Sequence, residues 1–200
     1  MKRAFIYLLA FALPSIAVAH ADNGSGKYVA DVTTSEITWK GYKVTGQHHG
    51  TVDLKDGTLI FEDNILVGGE FAIDMTTIKN LDMAGGGGAA RLEGHLKSDD
   101  FFSVETHPTA TLSITKVIPY GTTGEYKVTG DLTIKGITKE VKFMANVANN
   151  GGVITAVADI TIDRSEYDVR YGSGSFFDNL GDKAIHDNFD MSVKLTLNPA

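Results

Sequence analysis

The amino-acid sequence predicts an all-β protein, an antiparallel β-barrel of about eight strands with a short helical segment near Arg91–Phe102. Three observations carry this expectation. Apolar residues alternate with polar ones over most of the chain, which is the period of strands that bury one face. Glycine is abundant, at 22 residues, and proline scarce, at 4, so turns are frequent while few positions forbid a ladder hydrogen bond. Strands with a single apolar face must close on themselves or stack as two sheets, and closure also removes exposed edges.

The chain opens on Lys2 and Arg3, followed by an apolar run from Ala4 to Val18 and then small residues, the pattern of a secretory signal peptide. Residues 1–21 are therefore expected to be removed, by cleavage after Ala19 or after Ala21. That leaves one domain over residues 22–200, periplasmic or secreted. The apolar run is shorter than the roughly 20 residues a membrane helix needs, so no transmembrane segment is expected in the mature chain.

Strands are expected around Ile37 and Trp39, Val52 and Leu54, Phe71 to Met75, and Leu112 and Ile114. The clearest runs from Tyr126 to Ile134, where Tyr126, Val128, Leu132 and Ile134 share one side with Gly130, and Lys127, Thr129, Asp131 and Thr133 share the other. Further strands follow at Val141 to Val147, Ile154 to Ile162 and Met191 to Leu197. Turns are expected at Lys55-Asp56-Gly57, Val67-Gly68-Gly69, Gly121 to Gly124, Lys135-Gly136 and Asn149 to Gly152. Two stretches break the rhythm. From Asp82 to Ser98 a glycine run leads into a segment of helical spacing, with Leu92 and Leu96 on one face. Asp99-Asp100 after it reads as a turn or a helix cap. Tyr167 to Asp187 reads as a long loop, and loops of that length are often functional.

Composition narrows the function. The net charge of −7 includes two cations of the signal peptide, so the mature chain is more acidic still, which argues against nucleic acid and anionic membrane surfaces as partners. There is no cysteine, hence no disulfide, no thiolate zinc site and no thiol nucleophile. No Gly-x-Ser-x-Gly elbow, His-Glu-x-x-His or phosphate loop is present either, so no enzyme activity and no cofactor are expected.

Four segments resemble the YceI-like family, described as lipocalin-like barrels that bind polyisoprenoids and other lipids. They are Tyr28-Val-Ala-Asp with Ser35-Glu-Ile-Thr-Trp, Glu93 to Phe102 followed by His107-Pro-Thr-Ala-Thr, Tyr126 to Val141, and Ile162-Asp-Arg-Ser-Glu-Tyr. The resemblance implies an exported, lipocalin-like domain whose interior holds an isoprenoid or fatty-acyl-like chain, with a homodimer plausible for the family. The sequence departs from the common pattern at Arg91, one position upstream of the usual basic residue, and in the glycine-rich stretch near Tyr171.

A lipid site needs inward apolar side chains and a few polar groups at the mouth. Candidate walls are Trp39, Phe71, Ile73, Leu112, Ile114, Leu132, Ile134 and Phe143, each of which is equally explained as packed core. Phe101 and Phe102, with Leu92 and Leu96, are candidates for a plug or gate. Arg91, His95 and Lys97 form a cationic group suited to a headgroup or simply to solvent, and His95 is also a candidate staple between loop and strand. His48-His49 is read as exposed turn histidines rather than a metal site, since neighbours on a strand face opposite ways. Asp163-Arg164 with Glu166 and Asp168 is read as a salt-bridged sheet end, and Asp74, Asp131 and Asp159 fall on the outward phase. The alternatives to a lipid carrier are a packed-barrel interaction module in periplasmic stress defence and a lipid-acting enzyme. A filled interior favours the first, and a perturbed buried carboxylate or histidine inside the cavity favours the second.

Overall fold

A computed structural model describes residues 24–83 and 87–200. The expected signal peptide and its cleavage sites lie outside the described residues. The strands are β1 (Gly26–Ala30), β2 (Glu36–Lys43), β3 (Gly46–Glu62), β4 (Ile65–Asn80), β5 (Thr109–Pro119), β6 (Glu125–Ile134), β7 (Ile137–Asn150), β8 (Val153–Asp163) and β9 (Ile185–Pro199), with one α-helix, α1 (Gly87–Lys97), between β4 and β5. From β2 to β9 each strand pairs antiparallel with the next, and β9 returns to pair with β2, so eight strands close a barrel. Like β2, β1 pairs with both β3 and β9, further along each, so β1 and β2 share one lane of the barrel, broken at Asp31–Ser35.

The alternation read along β6 is the one observed: Tyr126, Val128, Gly130, Leu132 and Ile134 are buried, while Lys127 and Asp131 are exposed. A Cβ on Gly130 would lie 2.9 Å from the Ser113 carbonyl, so only glycine lets β5 run this close. The Lys135-Gly136 turn is also as expected. Both residues have positive φ, 51° and 73°, the two-residue hairpin turn whose twist matches the flanking strands.

Two expected turns are β-bulges instead. Lys55-Asp56-Gly57 lies inside the 17-residue β3, and the register against β4 shifts between Leu54 and Asp56. Val67-Gly68-Gly69 lies inside β4 at a second shift, and the chain reverses at Asp63-Asn64, with φ of 49° and 65°. Each bulge inserts a residue and flips the inward phase, from Val52 and Leu54 to Leu59 and Phe61 in β3 and from Leu66 to Phe71 and Ile73 in β4. The expected long loop is observed slightly earlier in the chain: it follows β8 directly, contains 3-10 turns at Arg164–Tyr167 and Gly181–Lys183, and ends where β9 begins at Ile185. His48 and His49 sit on β3, paired with Gly41 and Lys40, and not in a turn.

Because successive strands alternate in direction, the β2–β3 turn, the β4–β5 connection carrying α1, the β6–β7 turn and the β8–β9 connection all gather at one end of the barrel. The helix closes on that end and stops at Lys97, after which the Phe102 and Val104 amides turn back to the Leu96 and Lys97 carbonyls. Among the described residues no helix is long and apolar enough to cross a membrane.

Candidate apolar binding site

Beneath α1 the barrel holds a cavity of about 190 Å³ with almost wholly apolar walls. For scale, an engineered cavity of about 150 Å³ lined by aliphatic and aromatic side chains stays dry and takes up benzene. Trp39 and Ile134 face this space from the barrel, and Leu92, Leu96, Phe101 and Phe102 face it from the helix and the turn that follows. A second chamber of about 120 Å³ lies deeper, bounded by Phe71, Leu112, Ile114 and Phe143 together with Val128 and Leu195. Ile73 and Leu132, with Ile162 and Met191, line both chambers. The expected wall residues and the expected plug therefore surround two adjoining apolar chambers that share these four side chains. His95 lines neither chamber.

Trp39 is held by its indole N–H, which is shared between the Thr51 and Lys79 carbonyls at 3.2 Å each. Gly50 makes this possible: a Cβ there would sit 1.8 Å from the Lys79 carbonyl oxygen and 2.7 Å from the indole ring. A residue without a side chain thus lets β3 and β4 pinch around the ring.

His95 acts as a staple from outside the cavity. Its ring meets Phe101 edge-on at 4.9 Å and Tyr171 at 4.4 Å, and its Nε2 lies 3.4 Å from Asp100. It thereby ties α1 to the β8–β9 connection. Arg91 is exposed, and neither it nor Lys97 lines a chamber, so the cationic group does not face the cavity.

The polar groups at the mouth are others: Tyr42, Lys43, His48, Arg164 and His186. Arg164 is 4% exposed. Its Nε donates to the His186 carbonyl at 3.0 Å, and its two terminal nitrogens donate to Val169 at 2.8 Å and Ile185 at 3.1 Å, with Asp187 a further 3.5 Å contact. Burial pulls its pKa down against the opposing pull of Asp187 and Asp163. The expected salt-bridged sheet end is thus in large part a cation solvated by carbonyls, because a buried guanidinium needs several acceptors and the carbonyls of the returning loop supply them. Asp163 caps the 3-10 turn through the Ser165 amide at 2.8 Å.

His48 and His49 converge on Asp82 just before α1. The His48 Nδ1 lies 2.7 Å from one carboxylate oxygen, and the His49 amide and the buried Asn80 side chain donate to the other at 2.9 and 2.6 Å. Desolvation raises the Asp82 pKa, but these hydrogen bonds outweigh it and hold the carboxyl well below the usual range. The cluster anchors the segment leading into α1, and among the described residues no group of three or more side chains is arranged to hold a metal.

Arg164, Phe189 and Met191 had a signal in the sequence. Arg164 continues the inward phase of Ile160 and Ile162, and Phe189 continues that of Met191 and Val193. Tyr42 had none, since a bulge in the pairing with β9 between Gly41 and Lys43 changes its phase.

A closed antiparallel barrel with an apolar interior roofed at one end defines a calyx-type fold. The chain belongs to the YceI-like domain family, whose model matches residues 28–197. A UPF0312 protein of Pectobacterium atrosepticum is 40% identical over 62 residues, 31% of each chain, and one of Pseudomonas aeruginosa is 39% identical over a stretch of the same length. The chain thus covers under a third of the length of the curated relatives it matches. Among solved structures, BcnA of Burkholderia cenocepacia superposes with a TM-score of 0.69 at 24% identity, covering 84% of this chain and 98% of BcnA. A polyisoprenoid-binding domain from Saccharophagus degradans superposes at 0.63 with 15% identity, over 86% of this chain and 98% of that one. At these identities the two structures speak for the shared fold.

Proposed function

We propose that the protein is an exported binding protein that holds a long apolar molecule, a polyisoprenoid or fatty-acyl-like chain, within the barrel as a carrier, store or sequestering agent. The stack of two adjoining apolar chambers under α1 carries this reading. Apolar walls reward a hydrocarbon by about 0.8 kcal/mol per methylene taken from water, and a water in their place finds too few partners. The description of the Saccharophagus degradans domain as polyisoprenoid-binding supports the same ligand class. Space left inside the barrel counts against a packed interaction module. Binding rather than catalysis is favoured because no carboxylate lines either chamber among the described residues, and the titratable groups stand together at the mouth. The leader-like residues 1–21 support a periplasmic or secreted location.

Native mass spectrometry and organic extraction of the protein purified from its own host test the reading. A co-purifying polyprenyl or acyl lipid is expected, and adding such a lipid at a hundred times its Kd is expected to stabilise the fold by about 2.7 kcal/mol. Recovery of no lipid, together with an unchanged melt on adding polyprenyl and fatty-acyl compounds, overturns it.

A further inference from the structure

The two chambers meet at a ring of four side chains: Ile73 from β4, Leu132 from β6, Ile162 from β8 and Met191 from β9. We propose that this ring selects bound molecules by hydrocarbon length. A chain that fills only the mouth-side chamber is held weakly, and one that threads the ring into the deeper chamber is held tightly. The inference rests on the binding reading above and specifies which apolar molecules the site takes.

The strand geometry fits a longitudinal arrangement. Along β6, Ile134 faces the mouth-side chamber, Leu132 the ring and Val128 the deeper chamber. These positions span about 20 Å of strand at about 3.4 Å per residue. The deeper chamber is lined by no charged side chain, so whatever enters it must be hydrocarbon, and a polar headgroup stays with the polar side chains at the mouth.

Met191 is the adaptable member of the ring. Ile73 and Ile162 are β-branched and stiff, and Leu132 and Ile162 are buried, whereas Met191 is half-buried and has an unbranched thioether side chain with three rotatable bonds. It sits in register with Trp39 on one side and Ile160 on the other, which links the residue that walls the mouth-side chamber to one that walls the deeper chamber. A change of rotamer here widens or narrows the passage without moving a strand.

The test titrates primary straight-chain alcohols, from octanol to octadecanol, into the full mature chain and follows Trp39 fluorescence. Each methylene taken into an apolar chamber strengthens binding by about fourfold, so two methylenes denied entry already cost more than about tenfold. Met191→Phe narrows the ring: the preference for octadecanol over octanol is expected to fall at least about tenfold relative to the unaltered protein. Met191→Leu, similar in volume, is expected to keep the original length series. A melt without alcohol verifies that each variant folds, and Ile73→Phe narrows the ring from β4 with the same expected pattern if Met191→Phe does not fold. Equal weakening of octanol and octadecanol, or no change in either, overturns the selector and leaves the binding reading standing. An unaltered protein that binds none of the alcohols overturns both.

Discussion

Tyr167 closes the 3-10 turn after β8, is 1% exposed, and its hydroxyl has no hydrogen-bond partner among the described residues. Burial pushes its pKa up to about 12. A hydroxyl desolvated without a partner opposes folding, so Tyr167→Phe is expected to be neutral or to stabilise by up to about 1 kcal/mol in urea unfolding at neutral pH. The sign at high pH follows from the same shift. Below about pH 10 the phenol is protonated whether the chain is folded or not, and its contribution is fully present. Between there and about 12 only the unfolded chain releases the proton, so stability falls as pH rises. The Phe variant is expected to lose that part of the alkaline slope, and an unchanged slope would show that another group carries it. At this scale the chain was legible wherever alternation set a side chain's direction, as at Ile73, Leu132 and Phe143. It was only partly legible at His95 and Arg164: the staple and the inward phase could be read, but their partners, Tyr171 for the one and the Val169 and Ile185 carbonyls for the other, depend on the path of the β8–β9 connection.

The helix α1 forms the roof and contains three glycines, Gly87 and Gly88 at its start and Gly94 alone further along. A Cβ on Gly94 would meet nothing within 4 Å, and its φ is not in the left-handed region. Gly94→Ala is therefore expected to raise stability by about 1 kcal/mol through helix propensity alone, read as an upward shift of the thermal midpoint. A fall in the midpoint would mean that the roof needs a flexible position there. Helix α1 was readable from the spacing of Leu92 and Leu96, which do share the cavity-facing side. The bulges in β3 and β4 were not, because a glycine beside a polar residue looks the same whether the chain reverses or merely adds a residue to one strand. The barrel keeps its inward apolar face through those bulges by changing phase, and a strict period of two cannot follow that change.

The whole molecule is a single ring of pairings with no cysteine to cross-link it, so its stability rests on closure and on the core. Every strand from β2 to β9 depends on two neighbours, and the first and last lanes are joined by pairing between segments far apart in sequence. Urea unfolding is accordingly expected to be one cooperative transition, with far-ultraviolet circular dichroism and the fluorescence of Trp39, the only tryptophan, giving coincident curves that added reductant does not move. Separate curves would mean that the α1 end melts independently of the barrel. The sequence by itself determined the all-β class, the antiparallel order, the roofing helix and most of the wall, because burial on one face imprints a local period on each strand. Only the tertiary structure decided that the interior is two chambers divided by a ring, and that Arg164, not Arg91, stands at the mouth. Those features arise from the register of strands and the path of the β8–β9 connection, which local spacing does not specify.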